Sequence, residues 1–120
     1  MSKKTLVLGA SLKASRYSNL AIHRLRNNNH NVVAFGLKSG EINDVKIDTE
    51  LLPYEDIDTV TLYLNPQRQE AYYDYIIGLN PKRVIFNPGT ENPEFYKLLK
   101  VNNIDFEIAC TLVLLGTGQY

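Results

Sequence analysis

Short apolar segments alternate with amphipathic segments along this sequence. Residues 4–9 and 31–36 are β-rich apolar runs that end in glycine, which is typical of strands buried on both faces of a sheet. Similar runs predict further strands at 58–64, 82–86 and 104–108. Residues 37–52 are predicted to form a long loop that contains one short element at most.

Three amphipathic segments between these strands predict helices. The first begins at Ser18, which can cap it, and ends in the Asn27–His30 cluster. The second spans 72–79, where apolar residues follow i, i+3, i+4, i+7 spacing before a proline. The third begins with Asn92 as its cap and Pro93 as its first residue. The predicted apolar faces consist of Ala21, Ile22 and Leu25, of Tyr72, Tyr75, Ile76 and Leu79, and of Phe95, Leu98 and Leu99.

Strands that alternate with helices in this way predict βαβ units and a parallel sheet. We expect one three-layer α/β domain over residues 1–120, with five parallel strands in the order 3-2-1-4-5 and helices on both faces. The apolar tail at 111–120 is predicted either to add an edge strand or to cover a subunit interface.

The composition limits the class of protein. A chain of 120 residues with 44% hydrophobic content is expected to be a globular domain. No apolar run approaches the roughly 20 residues of a membrane helix, and residues 1–4 lead directly into a strand, so we expect neither a membrane span nor a signal peptide. The lone Cys110 excludes an intrachain disulfide, and with only two histidines a metal site is not expected. These features favour a cytoplasmic location.

Basic residues are concentrated in the first third of the chain. Residues 1–40 contain seven Lys and Arg and no carboxylate, whereas residues 41–120 contain six basic and all 13 acidic residues. This asymmetry favours an anionic partner for the N-terminal third.

The loop after the first strand, GASLKASRYS, carries candidate phosphate ligands. Gly9, Ser11 and Ala14 occupy the three glycine positions of the dinucleotide-binding fingerprint. Backbone N–H groups at the start of the following helix attract anions, and Lys13 and Arg16 would add charge-assisted contacts. Ser11, Ser15 and Ser18 supply hydroxyl groups. The predicted cofactor-binding residues of this loop are Gly9, Ala10, Ser11, Lys13, Arg16, Tyr17 and Ser18.

The end of the second strand indicates which nucleotide would fit. An NAD site usually has Asp or Glu there to bind the ribose 2′-hydroxyl, but residues 35–40 contain no carboxylate. Lys38 would instead favour a phosphorylated ribose. This position therefore favours coenzyme A, with its 3′-phosphate, or NADP, over NAD.

The motifs together resemble a known family. The run GASLKASRYSNLA at 9–21, the Asn29-His30 turn, the Asn-Pro pair at 65–66, NPGTE at 87–91 and Cys110 are similar to the small stand-alone CoA-binding domain family. That family resembles the N-terminal nucleotide-binding domain of succinate–CoA ligase alpha subunits. The resemblance spans residues 4–113 and implies a Rossmann-like domain.

The resemblance also implies roles for individual residues. Gly9, Ser11, Lys13, Arg16 and Ser18 would hold the diphosphate of CoA or an acyl-CoA. Gly36 and Lys38 would lie beside the adenosine and its 3′-phosphate. The residues that would wall the pantetheine are Asn65, Pro66, Asn87, Pro88 and Gly89. The family often has Asn-Pro after the second strand, where this chain has Gly36-Leu37. The ligase domain with a phosphorylatable histidine has no counterpart here, so acyl-CoA ligation is not expected from this chain alone.

The residues indicate no catalytic machinery. Cys110 is interpreted as a small buried residue at a strand end, although it could also lie near a bound thiol. His30, at a helix end, is predicted to interact with backbone carbonyls. Glu91 is the best general-base candidate, and a role in bracing its loop is favoured.

Three functions remain open from the residues. The first is a CoA-binding domain without catalysis of its own, and the second is an NADP-dependent oxidoreductase. The third is a protein-interaction module with a degenerate nucleotide site. Nucleic acid is a less favoured partner because the tyrosines at 72–75 do not interleave with basic residues. A homo-oligomer or an acyl-CoA enzyme partner would fit the tyrosines or the apolar tail.

Overall fold

The computed structural model describes residues 2–120, which form a mixed β-sheet with helices against both faces. The strands are β1 (Thr5–Ala10), β2 (Val32–Gly36), β3 (Gly40–Ile42), β4 (Val45–Asp48), β5 (Thr59–Leu62), β6 (Arg83–Phe86) and β7 (Asp105–Ile108). The helices are α1 (Tyr17–Asn27), α2 (Pro66–Gln69), α3 (Tyr73–Leu79), α4 (Pro93–Val101) and α5 (Thr111–Gly116). A turn of 3₁₀ helix, Glu70–Tyr72, joins α2 to α3.

The strand order is β3-β4-β2-β1-β5-β6-β7. β3 runs antiparallel to β4, and every other neighbouring pair is parallel. β1 is central, with Leu8 opposite both Phe35 of β2 and Leu62 of β5. The carboxyl ends of β2, β1, β5 and β6 therefore meet at one edge of the sheet.

Alternate residues of β1 enter two hydrophobic clusters on opposite faces. Leu6 and Leu8 pack with residues of α3 and α4, including Ile76 and Phe95. Val7 packs with residues of α1 and with part of α5 on the other face. Leu6, Val7 and Leu8 are all fully buried, as expected for a central strand covered on both sides.

The α/β architecture is confirmed, but the sheet has seven strands among the described residues, and the order 3-2-1-4-5 is not matched. The strand predicted at 58–64 forms β5 and lies beside β1, not beyond β2. The position beyond β2 belongs to β4, which lies within the predicted loop at 37–52. When β4 is counted as the third parallel strand, the parallel order becomes 3-2-1-4-5-6.

A hairpin explains why this loop prediction was wrong. β3 and β4 are only three and four residues long, so neither has a long apolar run. They are joined by a tight turn in which Asn43 adopts the left-handed conformation, with φ of 57°. Arg26 of α1 donates to both carboxylate oxygens of Asp44 at 2.8 Å, which ties the turn to the helix.

The second helical segment begins at Pro66 instead of near residue 72. Asn65 caps it, because its side chain accepts a hydrogen bond from the Arg68 backbone N–H at 3.0 Å. The segment ends at Asn80, which has a left-handed conformation. The predicted cap of α4 is confirmed, since Asn92 accepts from the Phe95 N–H at 3.3 Å.

The tail forms α5 and a C-terminal turn, so it does not add an edge strand. α5 lies on the same face of the sheet as α1, and the Thr111 hydroxyl lies 2.8 Å from the Thr61 hydroxyl. The Tyr120 ring lies 4.5 Å from the Arg83 guanidinium, and its hydroxyl lies 2.5 Å from the Thr5 hydroxyl. The tail therefore covers the sheet of its own chain.

Candidate functional site

A cleft of about 710 Å³ lies at the carboxyl edge of the sheet. Parallel α/β sheets bind ligands at this edge, where the connections from neighbouring strands diverge. Twelve of the fourteen residues predicted as cofactor ligands line the cleft: Gly9, Ala10, Ser11, Lys13, Arg16, Tyr17, Ser18, Gly36, Lys38, Asn65, Pro88 and Gly89.

Two glycines bring the backbone segments of the cleft close together. The β1–β2 register shifts between Leu8 and Ala10, and the intervening Gly9 has a φ of 102°. A Cβ atom on Gly9 would lie 2.9 Å from the Tyr63 carbonyl oxygen, and one on Gly36 would lie 2.4 Å from the Ala10 carbonyl oxygen. Both positions therefore require glycine for packing, independently of any ligand.

The phosphate-binding loop predicted from the sequence is held by short-range hydrogen bonds. Asn19 of α1 donates to the Ser11 carbonyl at 2.9 Å, and the Ser11 hydroxyl accepts from the Lys13 N–H at 3.2 Å. Arg16 occupies the N-cap position of α1 but makes no side-chain cap bond. Ser18, predicted as the cap, is instead buried in the first turn because the helix begins one residue before it.

The start of α1 is therefore an electropositive part of the cleft. Among residues 2–120, no side chain accepts a hydrogen bond from its first-turn N–H groups, of which that of Asn19 donates to the Arg16 carbonyl at 3.1 Å. No acidic residue lies in that turn. Unsatisfied N–H groups and the helix dipole favour a negative charge at such a position.

Four cationic side chains line the cleft and face no lining carboxylate. Lys13 and Arg16 come from the loop before α1, Lys38 follows β2, and Arg68 belongs to α2. Within residues 2–120, none of these four takes part in an ion pair; the observed pairs are Arg26–Asp44, Lys46–Asp48 and Arg83–Glu107. The cleft thus has an uncompensated positive charge, which suits a polyanionic ligand.

Arg68 was missed by the sequence interpretation. The residues that follow Asn65-Pro66 were interpreted as a connection between a strand and a helix starting near residue 72, so α2 was not predicted. The signal that could have found it is the Asn65-Pro66 pair, which matches the Asn92-Pro93 pair at the start of α4. The other lining residues that were not predicted are Leu12, Phe35, Leu37, Tyr63, Leu64, Tyr72 and Thr90.

Two predicted ligands do not line the cleft. Asn87 is buried, where its amide donates to the Thr61 hydroxyl at 2.7 Å and to the Leu62 carbonyl at 2.9 Å. Its side-chain oxygen accepts from the Thr111 N–H at 2.8 Å, so Asn87 joins β5 and β6 to α5. Pro66 is the first residue of α2 and also lies outside the lining.

The candidate reactive residues lie outside the cleft lining. Cys110 is half-buried at the N-cap of α5. The prediction for His30 was wrong, because its Nδ1 accepts a hydrogen bond from the Lys3 backbone N–H at 3.0 Å. Glu91 braces its loop, as its carboxylate accepts from the Gly89 N–H at 2.8 Å.

The described lining residues include no Asp, Glu, His or Cys that could act as an acid or base. Burial raises the pKa of the lining residue Tyr63 to about 12, so this phenol stays protonated at neutral pH. Across residues 2–120, no group of His, Cys, Asp and Glu is arranged to hold a metal ion. In the same part of the chain, no helix is long and apolar enough to cross a membrane.

These features define a class of protein, a Rossmann-like α/β domain with a cationic cleft at the carboxyl edge of its sheet. The family model described as "CoA binding domain" matches residues 3–116. The chain therefore belongs to the CoA-binding domain family, which confirms the resemblance noted in its motifs.

Solved structures share this fold over most of their length. An uncharacterized protein with a crystal structure is 48% identical in sequence to this chain, and the two structures have a TM-score of 0.97 over 100% of this chain and 99% of that chain. A hypothetical protein from Pyrococcus horikoshii OT3 is 26% identical, with a TM-score of 0.82 over 93% and 80% of the two chains. A Thermus thermophilus protein is 22% identical, with a TM-score of 0.86 over 99% and 91%, and shows the fold alone. Among curated proteins, none matches this sequence.

Proposed function

We propose that this protein binds coenzyme A, or an acyl-CoA, through its phosphates in the cleft at the carboxyl edge of the sheet. One observation carries the proposal. Within the described part of the chain, a single cleft combines a helix N-terminus without a side-chain cap with four cationic side chains and no lining carboxylate. Membership in the CoA-binding domain family supports CoA as the nucleotide.

The diphosphate would lie at the start of α1. Backbone N–H groups of the first turn would donate to its oxygens, and Lys13 and Arg16 would neutralise its charge. Ala10 and Ser11 line this part of the cleft, and their small side chains would allow a phosphate to approach the loop backbone. Tyr17 and Ser18 complete this part of the lining.

The adenosine would lie toward β2, and the pantetheine would lie toward β6. Lys38 follows β2 and would bind the phosphate on the ribose. Asn65, Pro88 and Gly89 would wall the pantetheine, whose amide groups need hydrogen bonds and not charges. Pro66 and Asn87 are not assigned to the ligand, because neither lines the cleft.

The proposed role is binding without catalysis by this chain. General acid–base and nucleophilic chemistry need a titratable group within hydrogen-bond reach of the ligand. The described lining offers four cationic side chains and three phenols, those of Tyr17, Tyr63 and Tyr72, and burial raises the pKa of Tyr63 to about 12.

Titration calorimetry with CoA tests this proposal. The natural chain should bind CoA, and Arg16→Ala should bind it roughly tenfold more weakly, since a hydrogen bond to a charged group contributes about 1.5 kcal/mol or more. Lys97→Ala is the matched control, because it removes an exposed cation of α4 that lies outside the cleft. Equal losses in both variants would show that nonspecific charge attraction, and not the cleft, binds CoA.

Two further binding measurements on the natural chain distinguish CoA binding from the other candidate functions. An NADP-dependent oxidoreductase would also use Lys38 to bind a phosphorylated ribose, and it predicts a change in NADPH fluorescence on binding. An interaction module with a degenerate site predicts no thermal stabilisation by any nucleotide. A CoA concentration of 100 times the dissociation constant should instead add about 2.7 kcal/mol to the free energy of unfolding.

A further inference from the structure

Arg68 is a lining cation to which neither the sequence nor the proposal above gives a role. Its side chain is exposed, and within residues 2–120 it makes no ion pair. Its backbone N–H donates to both the side-chain oxygen and the carbonyl of Asn65, each at 3.0 Å. The guanidinium therefore lines the cleft without a protein partner among the described residues.

The helical segment that carries Arg68 faces the end of β2. Arg68 of α2 and Tyr72 of the following 3₁₀ turn stand four residues apart, and both line the cleft. The Tyr72 ring packs edge-on against the Phe35 ring of β2, with 5.6 Å between the ring centroids. Tyr72 therefore brings the 3₁₀ turn that follows α2 against β2, the strand whose carboxyl end leads to Lys38.

Arg68 and Lys38 both line the cleft and come from different elements, α2 and the connection after β2. α1 lies on the opposite face of the sheet from α3 and α4. The loop before α1 contributes two lining cations, Lys13 and Arg16. The loop before α1 also reaches the connection after β2, since the Leu12 side chain lies against Gly40. An anion bound beside the end of β2 would have Lys38 on the β2 side and Arg68 on the α2 side as the lining cations from outside that loop.

We infer that Arg68 is a specificity-determining residue that binds the ribose 3′-phosphate together with Lys38; this inference rests on the CoA binding proposed above. A phosphomonoester carries about −1.5 to −2 charge and has three strong acceptor oxygens at neutral pH, so a single lysine leaves it partly uncompensated. An arginine can bind two of those oxygens at once, which a lysine cannot.

The inference defines the class of ligand that the cleft selects. It selects adenosine nucleotides that are phosphorylated on the ribose 3′ position and discriminates against dephospho-CoA. Adenosine 3′,5′-bisphosphate is then the smallest ligand that engages both cationic parts of the cleft, without any contribution from the pantetheine.

Titrations of CoA and dephospho-CoA against matched variants test the role of Arg68. Arg68→Ala should weaken CoA binding roughly tenfold and leave the affinity for dephospho-CoA unchanged within about twofold. Arg68→Lys should retain part of the preference for CoA, because it keeps the charge but loses the two-point contact. Lys97→Ala should change neither affinity. Arg68→Ala keeps the backbone N–H that Asn65 caps, so its urea midpoint should match that of the natural chain.

The outcomes distinguish this inference from the proposed function. If the natural chain fails to bind CoA, both are overturned. If CoA binds, but Arg68→Ala weakens both ligands equally or neither of them, the role of Arg68 is overturned and CoA binding stands. A preference of the natural chain for adenosine 2′,5′-bisphosphate over the 3′,5′ isomer would also overturn the assignment to the 3′-phosphate.

Discussion

Replacing Gly36 with alanine tests the close approach of β2 to the end of β1. A Cβ atom at this position would lie 2.4 Å from the Ala10 carbonyl oxygen and 3.1 Å from the Cγ2 atom of Ile47. The first contact is with backbone, so a rotamer change cannot relieve it. The two strands would have to separate where Ala10 and Gly36 are paired.

The expected cost follows from two opposing effects. Forcing an extra methyl group into close-packed structure costs about 1–3 kcal/mol. Alanine restricts the unfolded chain more than glycine, which offsets about 0.4–1 kcal/mol of that cost. Because the 2.4 Å contact is with backbone, the cost lies at the upper end of that range, and Gly36→Ala should lower the free energy of unfolding by about 2–2.6 kcal/mol. CoA affinity should fall as well, because Gly36 lines the cleft.

Urea denaturation followed by circular dichroism measures this change in the free energy of unfolding. The comparison holds when the dependence of that free energy on urea concentration, the m-value, is the same for Gly36→Ala and the natural chain. Gly78→Ala is the matched control. Gly78 lies in α3, and a Cβ there would meet nothing within 4 Å, so the substitution should add about 0.5–1 kcal/mol of stability. A Gly36→Ala protein as stable as the natural chain would refute the close approach of β2 to β1.

Two further predictions concern buried polar groups. Asn92→Ala removes the cap of α4 and the amide that donates to the Gln69 side chain at 2.9 Å and to the Tyr73 hydroxyl at 2.7 Å. Urea denaturation should therefore show a free energy of unfolding that is lower by about 2–4 kcal/mol. A decrease of less than about 0.5 kcal/mol would contradict the importance of this network. Burial, with the charge of Lys3 next in importance, lowers the pKa of His30 below its usual 6.5. The unfolded chain then binds this proton more readily, so the stability contributed by His30 is present above pH 6.5 and is lost as the pH falls through the folded pKa. The free energy of unfolding should differ less between pH 7.5 and pH 5.0 for His30→Asn than for the natural chain. An equal pH dependence of the two proteins would contradict the lowered pKa of His30.

The main elements of the fold were predictable because their signals are local. The apolar runs at β1, β2 and β6 and the Asn92-Pro93 cap depend on neighbouring residues alone. The hairpin of β3 and β4 was missed because strands this short are stabilised by pairing with β2 and by α1, through Arg26 and Asp44. The predicted strand order was wrong for the same reason. Because β4 was not predicted, the strand at 58–64 was placed beside β2.

The candidate site was predictable where it follows one strand and less so where several elements meet. Lys13, Arg16 and Lys38 lie in loops directly after β1 and β2, so the general geometry of parallel sheets places them at one edge. Arg68 required the actual path of α2. Asn87 was assigned to the ligand by position, but its amide instead bonds to neighbouring segments of its own chain.

The order of residues along the chain alone determined the alternation of strands and helices, the glycine-containing loop before α1 and the concentration of positive charge in residues 1–40. Those properties arise from side-chain periodicity, backbone freedom and charge, which act between residues close in sequence. Only the tertiary structure decided which strands are neighbours, that the tail folds onto its own sheet, and that Arg68 and Lys38 line the same cleft. These features depend on contacts between residues far apart in sequence, and such contacts form only when the whole chain buries its apolar surface together.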